Sequence, residues 1–237
     1  MSFESFISGL NSQAAALIQH GDNRRAVGLL AEAVSLISSH LGGDASPEDS
    51  FTKPGTGART ERITSFESAV DNTSLIAISV TYPLDCSMSS SAIPYYNRPF
   101  LFESSSSEYS ITGMAEKCAH ILFNMALAYH QEGVTKGKSK RIVKALLLYQ
   151  QALLALEGSA IQNSSKLVLL FLAIVNNMAH IQVETFDSDG LQRSRSLLHW
   201  VFSLEDRAEL DAESTSFFFL NLFFLNRDHV FKLPAAA

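Results

Sequence analysis

The segment GVTKGKS, residues 133–139, ends in Gly137-Lys138-Ser139 and so imitates the end of a phosphate-binding loop, where backbone N–H groups and a lysine surround a nucleotide's phosphates. That chemistry needs a glycine at position 132, where Glu132 stands, and a strand before the loop, whereas the residues before 133 carry a helical pattern. PGTGART, residues 54–60, lacks the strand–helix context of a dinucleotide site and reads as a loop. The seven histidines form no HExxH pair, and His120 and His130 lie ten residues apart on one helix, too far to share a metal ion. No GxSxG elbow presents a nucleophilic serine. The expectation is therefore a non-catalytic chain without a cofactor. The alternative is an enzyme whose site assembles in space from dispersed groups such as His120, His130, Glu132 and His180.

The stretch holding Lys136, Lys138, Lys140, Arg141 and Lys144 is basic, and reads as a solvated turn, with an acidic partner or nuclear import as the functional readings. The chain as a whole carries a net charge of −6, which argues against a general nucleic-acid or anionic-membrane binder. Two cysteines, Cys86 and Cys118, are too few for a disulfide scaffold and favour a reducing compartment. The start, MSFESFISGL, has no Lys or Arg, so a cytoplasmic location is expected. The longest apolar runs, 167–175 and 217–225, are about half of the ~20 residues that cross a bilayer, so no membrane partner is expected. With 46% hydrophobic and 18% charged residues, the 237-residue chain can bury a sizeable core.

The elements that must position any site are helical. Phe3, Ile7, Leu10, Ala14 and Leu17 recur at steps of three and four, Gly21 ends that helix, and Ala26, Leu29, Leu30, Ala33, Val34 and Ile37 line a second that stops at Gly42-Gly43. Between Gly43 and Thr112 lie all but one of the six prolines and two serine-rich runs. Residues 76–82 alternate like a strand, and YYNRPFLF, residues 95–102, reads as a second extended piece. Helical texture returns at Met114 and lasts to about Leu204 as two further hairpins split near 158–164. A last helix is expected over Ala212–Phe231, with Asp211 or Ser214 as its cap. The organisation is one domain: a hairpin over 1–41, an insert over 42–112, two hairpins over 113–204, and an apolar capping helix and tail over 205–237.

Ala26, Leu30 and Ala33 share their spacing with Ala145, Tyr149 and Ala152, small residues flanking a large one so that neighbouring helices approach closely. In the preceding helices Ala14 and Ala126 are small, and Asn124-Met125-Ala126 returns as Asn177-Met178-Ala179; Ser194, Leu198 and Val201 serve in a weaker third unit. These features resemble the tetratricopeptide-repeat family, and together with YNRPF and KALLLYQQAL they are similar to a group of algal tetratricopeptide-like proteins. The resemblance implies an all-α, irregular array of antiparallel helix pairs with a loop or short-strand insert. It implies a protein or peptide partner held in a groove lined by the first helix of each pair.

By that alignment the residues facing the groove are Asn11, Phe123, Asn124, Leu127, His130, Asn176, Asn177, His180 and Glu184, all expected to be exposed. Asn124 and Asn177 fall where relatives that bind chaperone tails hold a C-terminal carboxylate, but the accompanying Lys and Arg are missing. Asparagines bonded across helices are the other reading. The insert, lying between units that should stack, could fold over the array, occupy the groove and compete with a partner. The last helix, with FFFLNLFFL in its interior, is apolar on every face and should be buried against the third unit and the insert, or in part against a second copy.

Overall fold

Helix α1 (Phe3–His20) begins where the Ser2 hydroxyl accepts a hydrogen bond from the Ser5 N–H at 3.2 Å. It ends at Gly21, whose φ of 78° lets the chain reverse while Gly21 N donates to Ile18 O and Asp22 N to Leu17 O. Two residues later α2 (Asn23–Gly42) runs back, so the first hairpin stands as expected. The computed structural model describes residues 2–42, 93–102, 111–157, 159, 164–204 and 210–226. The expected strand over 76–82 and the loop over 54–60 lie outside those residues. Residues 95–102 lie within them and are non-helical, but belong to no strand.

The further helices are α3 (Ile111–Lys136), α4 (Ser139–Ala155), α5 (Ser165–Glu184), α6 (Ser188–Ser203) and α7 (Ala212–Leu225). The fold is all-α. α3 pairs with α4 and α5 with α6, while α2 packs on α3, α4 on α5 and α6 on α7, so the hairpins stack in chain order. The small–large–small spacing explains the close approach: Ala26, Leu30, Ala33, Ala145, Tyr149 and Ala152 are all fully buried, as are Ala14, Ala126 and Ala179. The weaker third unit packs in the same way, with Ser194, Leu198 and Val201 buried on α6.

Polar side chains start the later helices. Ser164 accepts from Leu167 N at 3.4 Å, Asp187 from Gly190 N at 2.9 Å, and Asp211 from Ser214 N at 2.7 Å. The α5–α6 turn contains Phe186 at φ 57°, a left-handed conformation that an L side chain rarely adopts. Helix α5 has the length and composition to cross a bilayer, more than the runs of the sequence suggested, and 83% of its apolar stretch is buried among the other helices.

Two expectations change. The basic stretch is not simply a solvated turn: Lys136, Lys138 and Arg141 converge on the Glu132 carboxylate at 3.3, 3.5 and 3.3 Å, and that carboxylate is buried. Arg141 and Lys144 also lie 5.1 Å from the Tyr129 ring centre. Lys138, Arg141 and Lys144 thus tie the end of α3 to the turn and the start of α4, and with Lys136 on α3 itself the Glu132 carboxylate has three cationic partners, as a carboxylate out of water needs. The last helix is described over Ala212–Leu225, the rest of the expected stretch, 227–231, lies outside the described residues, and the helix is not covered on all sides. Phe218, Asn221, Leu222 and Leu225 are buried, whereas Phe219, Leu220 and Phe223 are about half exposed at 59%, 45% and 54%.

Candidate functional site

One asparagine or more stands on each of α1, α3, α5 and α7: Asn11, Asn124, the pair Asn176-Asn177, and Asn221. All are buried, and each bonds to an atom of residues 93–102, a strap that lies along the row. An amide side chain offers a donor and an acceptor side by side, the same pair that one residue of an extended backbone presents.

At Asn124 the match is complete. Its Oδ1 accepts from Phe100 N at 2.8 Å, and its Nδ2 donates to Phe100 O at 2.8 Å and to Asn11 Oδ1 at 2.9 Å. Asn177 treats Tyr96 in the same way: Oδ1 accepts from its N–H at 2.6 Å and Nδ2 donates to its carbonyl at 2.9 Å. Asn11 Nδ2 adds a second bond to Phe100 O at 3.0 Å, and Ser8 Oγ donates to Phe102 O at 2.9 Å. At the other end Pro94 O accepts from Asn176 Nδ2 at 3.2 Å and Asn221 Nδ2 at 2.9 Å.

Every gripped strap residue is even-numbered, which is what an extended chain with its alternating backbone produces. The clamped residues Tyr96 and Phe100 are four apart, an advance of about 13 Å along an extended chain. The strap therefore runs from α7 towards α1, opposite to the order of the helices.

Aromatic packing fixes the side chains that the amides leave free. Tyr96 stacks on Phe218 at 5.5 Å and on Phe100 at 5.7 Å, and meets Phe123 and Phe217 at 6.4 and 6.0 Å. Burial pushes the Tyr96 phenol above its usual pKa, eased by the Arg98 charge. Arg98 pairs with Glu213 at the rim at 2.6 Å.

Tyr95 turns to the other side and covers a histidine pair, its ring 4.4 Å from that of His130 and 5.2 Å from that of His180. His130 Nε2 lies 3.1 Å from His180 Nδ1, and His130 Nδ1 lies 3.4 Å from the Tyr149 hydroxyl. The direction of the chain follows from its far end. Asn177 Nδ2 donates to Tyr149 Oη at 2.9 Å, which leaves the phenolic hydrogen to point at His130 Nδ1. His130 then carries its proton on Nε2 and donates to His180 Nδ1. Burial holds His130 well below the ordinary histidine pKa, reinforced by His180, and burial alone brings His180 to about 4. Both rings are neutral at pH 7, and burial raises the Tyr149 phenol far above its usual value against the Asn177 bond.

Of the nine residues expected to face an open groove, Asn11, Phe123, Asn124, Leu127, His130, Asn176, Asn177 and His180 are buried, and only Glu184, at the end of α5, is exposed. Asn11, Phe123, Asn124, His130, Asn176, Asn177 and His180 each meet a residue of the strap, which covers them. Asn124 and Asn177 face a backbone N–H and carbonyl rather than a carboxylate, and Asn124 also bonds across helices to Asn11.

Of His120, His130, Glu132 and His180, the structure brings His130 and His180 together and sets Glu132 and His120 among other partners. Glu132 follows His130 by two residues, about 200° around α3, and faces its own cations. His120 bonds to Glu116 O at 2.7 Å on the same helix and lies beside Phe100 and Phe102. Among the described residues no group of three or more His, Cys, Asp or Glu side chains is placed to hold a metal ion.

Three participants escaped the sequence reading: Ser8, Tyr149 as the link between clamp and histidines, and Asn221 as a member of the row. Asn221 left a signal, as the one polar residue inside FFFLNLFFL. Compared with known proteins, the chain matches no family model, no curated protein and no solved structure.

Proposed function

We propose that this chain is a non-catalytic holding module: an array of paired helices, tetratricopeptide-like in its small–large–small spacing, whose row of asparagines grips the extended backbone of a protein partner, with the strap as resident competitor. The observation that carries this reading is the two-sided grip of Asn124 on Phe100, repeated by Asn177 on Tyr96. Such a grip reads backbone and not side chain, so it serves any segment that can lie extended and place its aromatic residues. The strap sits in the place such a segment would take, and its tethering to the array raises its local concentration against a free competitor.

The test is a titration of a labelled peptide with the sequence of residues 93–102 against the intact chain and against a strap-weakened variant, Tyr96→Ala with Phe100→Ala. The variant should bind the peptide saturably and the intact chain far more weakly, and Asn124→Ala with Asn177→Ala should remove binding. Absence of saturable binding to the variant, with its helical content intact, would sink the holding reading.

A second reading, that the strap is a permanent structural filling, is favoured by the burial of Ile93 and Tyr96, which are 0% and 6% exposed. It predicts that amide protons of residues 95–98 and 100 exchange only when the whole array unfolds.

A further inference from the structure

The strap is an imperfect occupant of its own groove. At Asn124 and Asn177 each amide satisfies both polar groups of one strap residue, N–H and carbonyl. At the α7 end the residue in register is Pro94, which has a carbonyl but no N–H. Asn221 spends its Nδ2 on Pro94 O at 2.9 Å and on Asn176 Oδ1 at 2.7 Å, while its Oδ1, fully buried, has no hydrogen-bond partner among the described residues. A buried acceptor without a donor is costly, and this one belongs to a side chain that holds Pro94, the one gripped strap residue that cannot donate.

We infer that the groove is built for a segment of another protein that lies extended, carries aromatic side chains where the strap has Tyr96 and Phe100, and has a residue with a free N–H where the strap has Pro94. That N–H satisfies Asn221 Oδ1 and completes a third two-sided grip. The inference rests on the holding function proposed above. It also gives the strap a role: by lacking one donor, it holds the groove less tightly than the segment that displaces it.

The alignment of Asn221 can be tested in the intact chain first. Pro94→Ala restores an N–H, and strap opening, read by amide exchange at residues 95–98 and 100, should become about threefold to tenfold rarer, the worth of one neutral hydrogen bond. In an Asn221→Ala background the same substitution should give no gain.

The partner's chemistry is tested with the strap-weakened full chain and three peptides of residues 93–102, carrying proline, alanine or N-methylalanine at the position of Pro94. N-methylalanine lacks the N–H without the proline ring, so it separates hydrogen bonding from stiffness and needs no change in the protein. The alanine peptide should bind about threefold to tenfold more tightly than the other two. Equal binding of the alanine and N-methylalanine peptides overturns this inference and leaves the holding function standing. Failure of all three to bind overturns the holding function, and the partner with it.

Discussion

Asn177 donates to the Tyr149 hydroxyl at 2.9 Å, and through that bond the grip on the strap and the buried histidine pair become one polar unit. The same Nδ2 holds the Tyr96 carbonyl at 2.9 Å. A change in the charge of His130 therefore reaches the strap through three hydrogen bonds, by way of Tyr149 and Asn177, that of His180 through one more, and both through the Tyr95 ring that lies over them.

Acid should loosen the array. The folded-state pKa of His180, about 4, lies below its unfolded value of about 6.5, and that of His130 is lowered as well. The unfolded chain thus takes up protons first as pH falls, so stability from this source is complete above pH ~6.5 and declines towards pH ~4. His180 alone accounts for about 3 kcal/mol once its lower pKa is passed. Urea melts of the wild type and of His180→Gln from pH 8 to pH 4.5 check this: the variant should show a flatter profile, and parallel profiles would contradict the assignment.

The clamps should be unequal to their neighbours. Asn177→Ala removes four bonds, one of them accepted from Asn176 Nδ2, and strands a buried N–H and carbonyl of Tyr96, for a cost of about 2–4 kcal/mol. Asn176→Ala leaves Pro94 O still bonded to Asn221 and should cost about 1–2 kcal/mol. Denaturant midpoints compared at constant slope measure both, and an equal loss would show that the two-sided grip has no special weight.

Gly133 allows α3 and α4 to meet. A Cβ built there would lie 2.5 Å from Ile142 Cδ1 and 3.1 Å from the Ile142 backbone nitrogen. Gly133→Ala is expected to destabilise by about 1–2 kcal/mol, with part of the loss restored by Ile142→Val in a double-mutant cycle.

Phe186 should be replaceable with profit to stability. Its side chain is 69% exposed and its φ is 57°, so little packing offsets the left-handed backbone. Phe186→Gly is expected to raise stability by about 0.5–1 kcal/mol, visible as a higher thermal midpoint; a lower midpoint would mean that the ring has contacts worth more than the strain.

The helices were legible because their information is local. Steps of three and four place Ile7, Leu10 and Ala14 on one buried face, and the alanines flanking Leu30 and Tyr149 mark where helices cross. The members of the row on α3 and α5 were named from the repeated Asn-Met-Ala, and Asn11 on α1 from the family resemblance, all as exposed residues of a groove. Their burial was not, because it depends on residues 93–102 returning across up to 127 positions of chain, from Asn221 to Pro94, and no periodicity encodes that meeting. Nor did a list of cations show that Lys136, Lys138 and Arg141 share the single carboxylate of Glu132.

A stack of hairpins in which each unit touches only its neighbours melts like a row of separate links, fraying from the ends inward. The strap alters that arithmetic, because one chain segment ten residues long is bonded to α7 at Pro94, to α5 at Tyr96, to α3 at Phe100 and to α1 at Phe102. It acts as a tendon laid across the joints. With it in place the two ends of the array should share their fate and unfold in a single step, and with it lifted they should become independent.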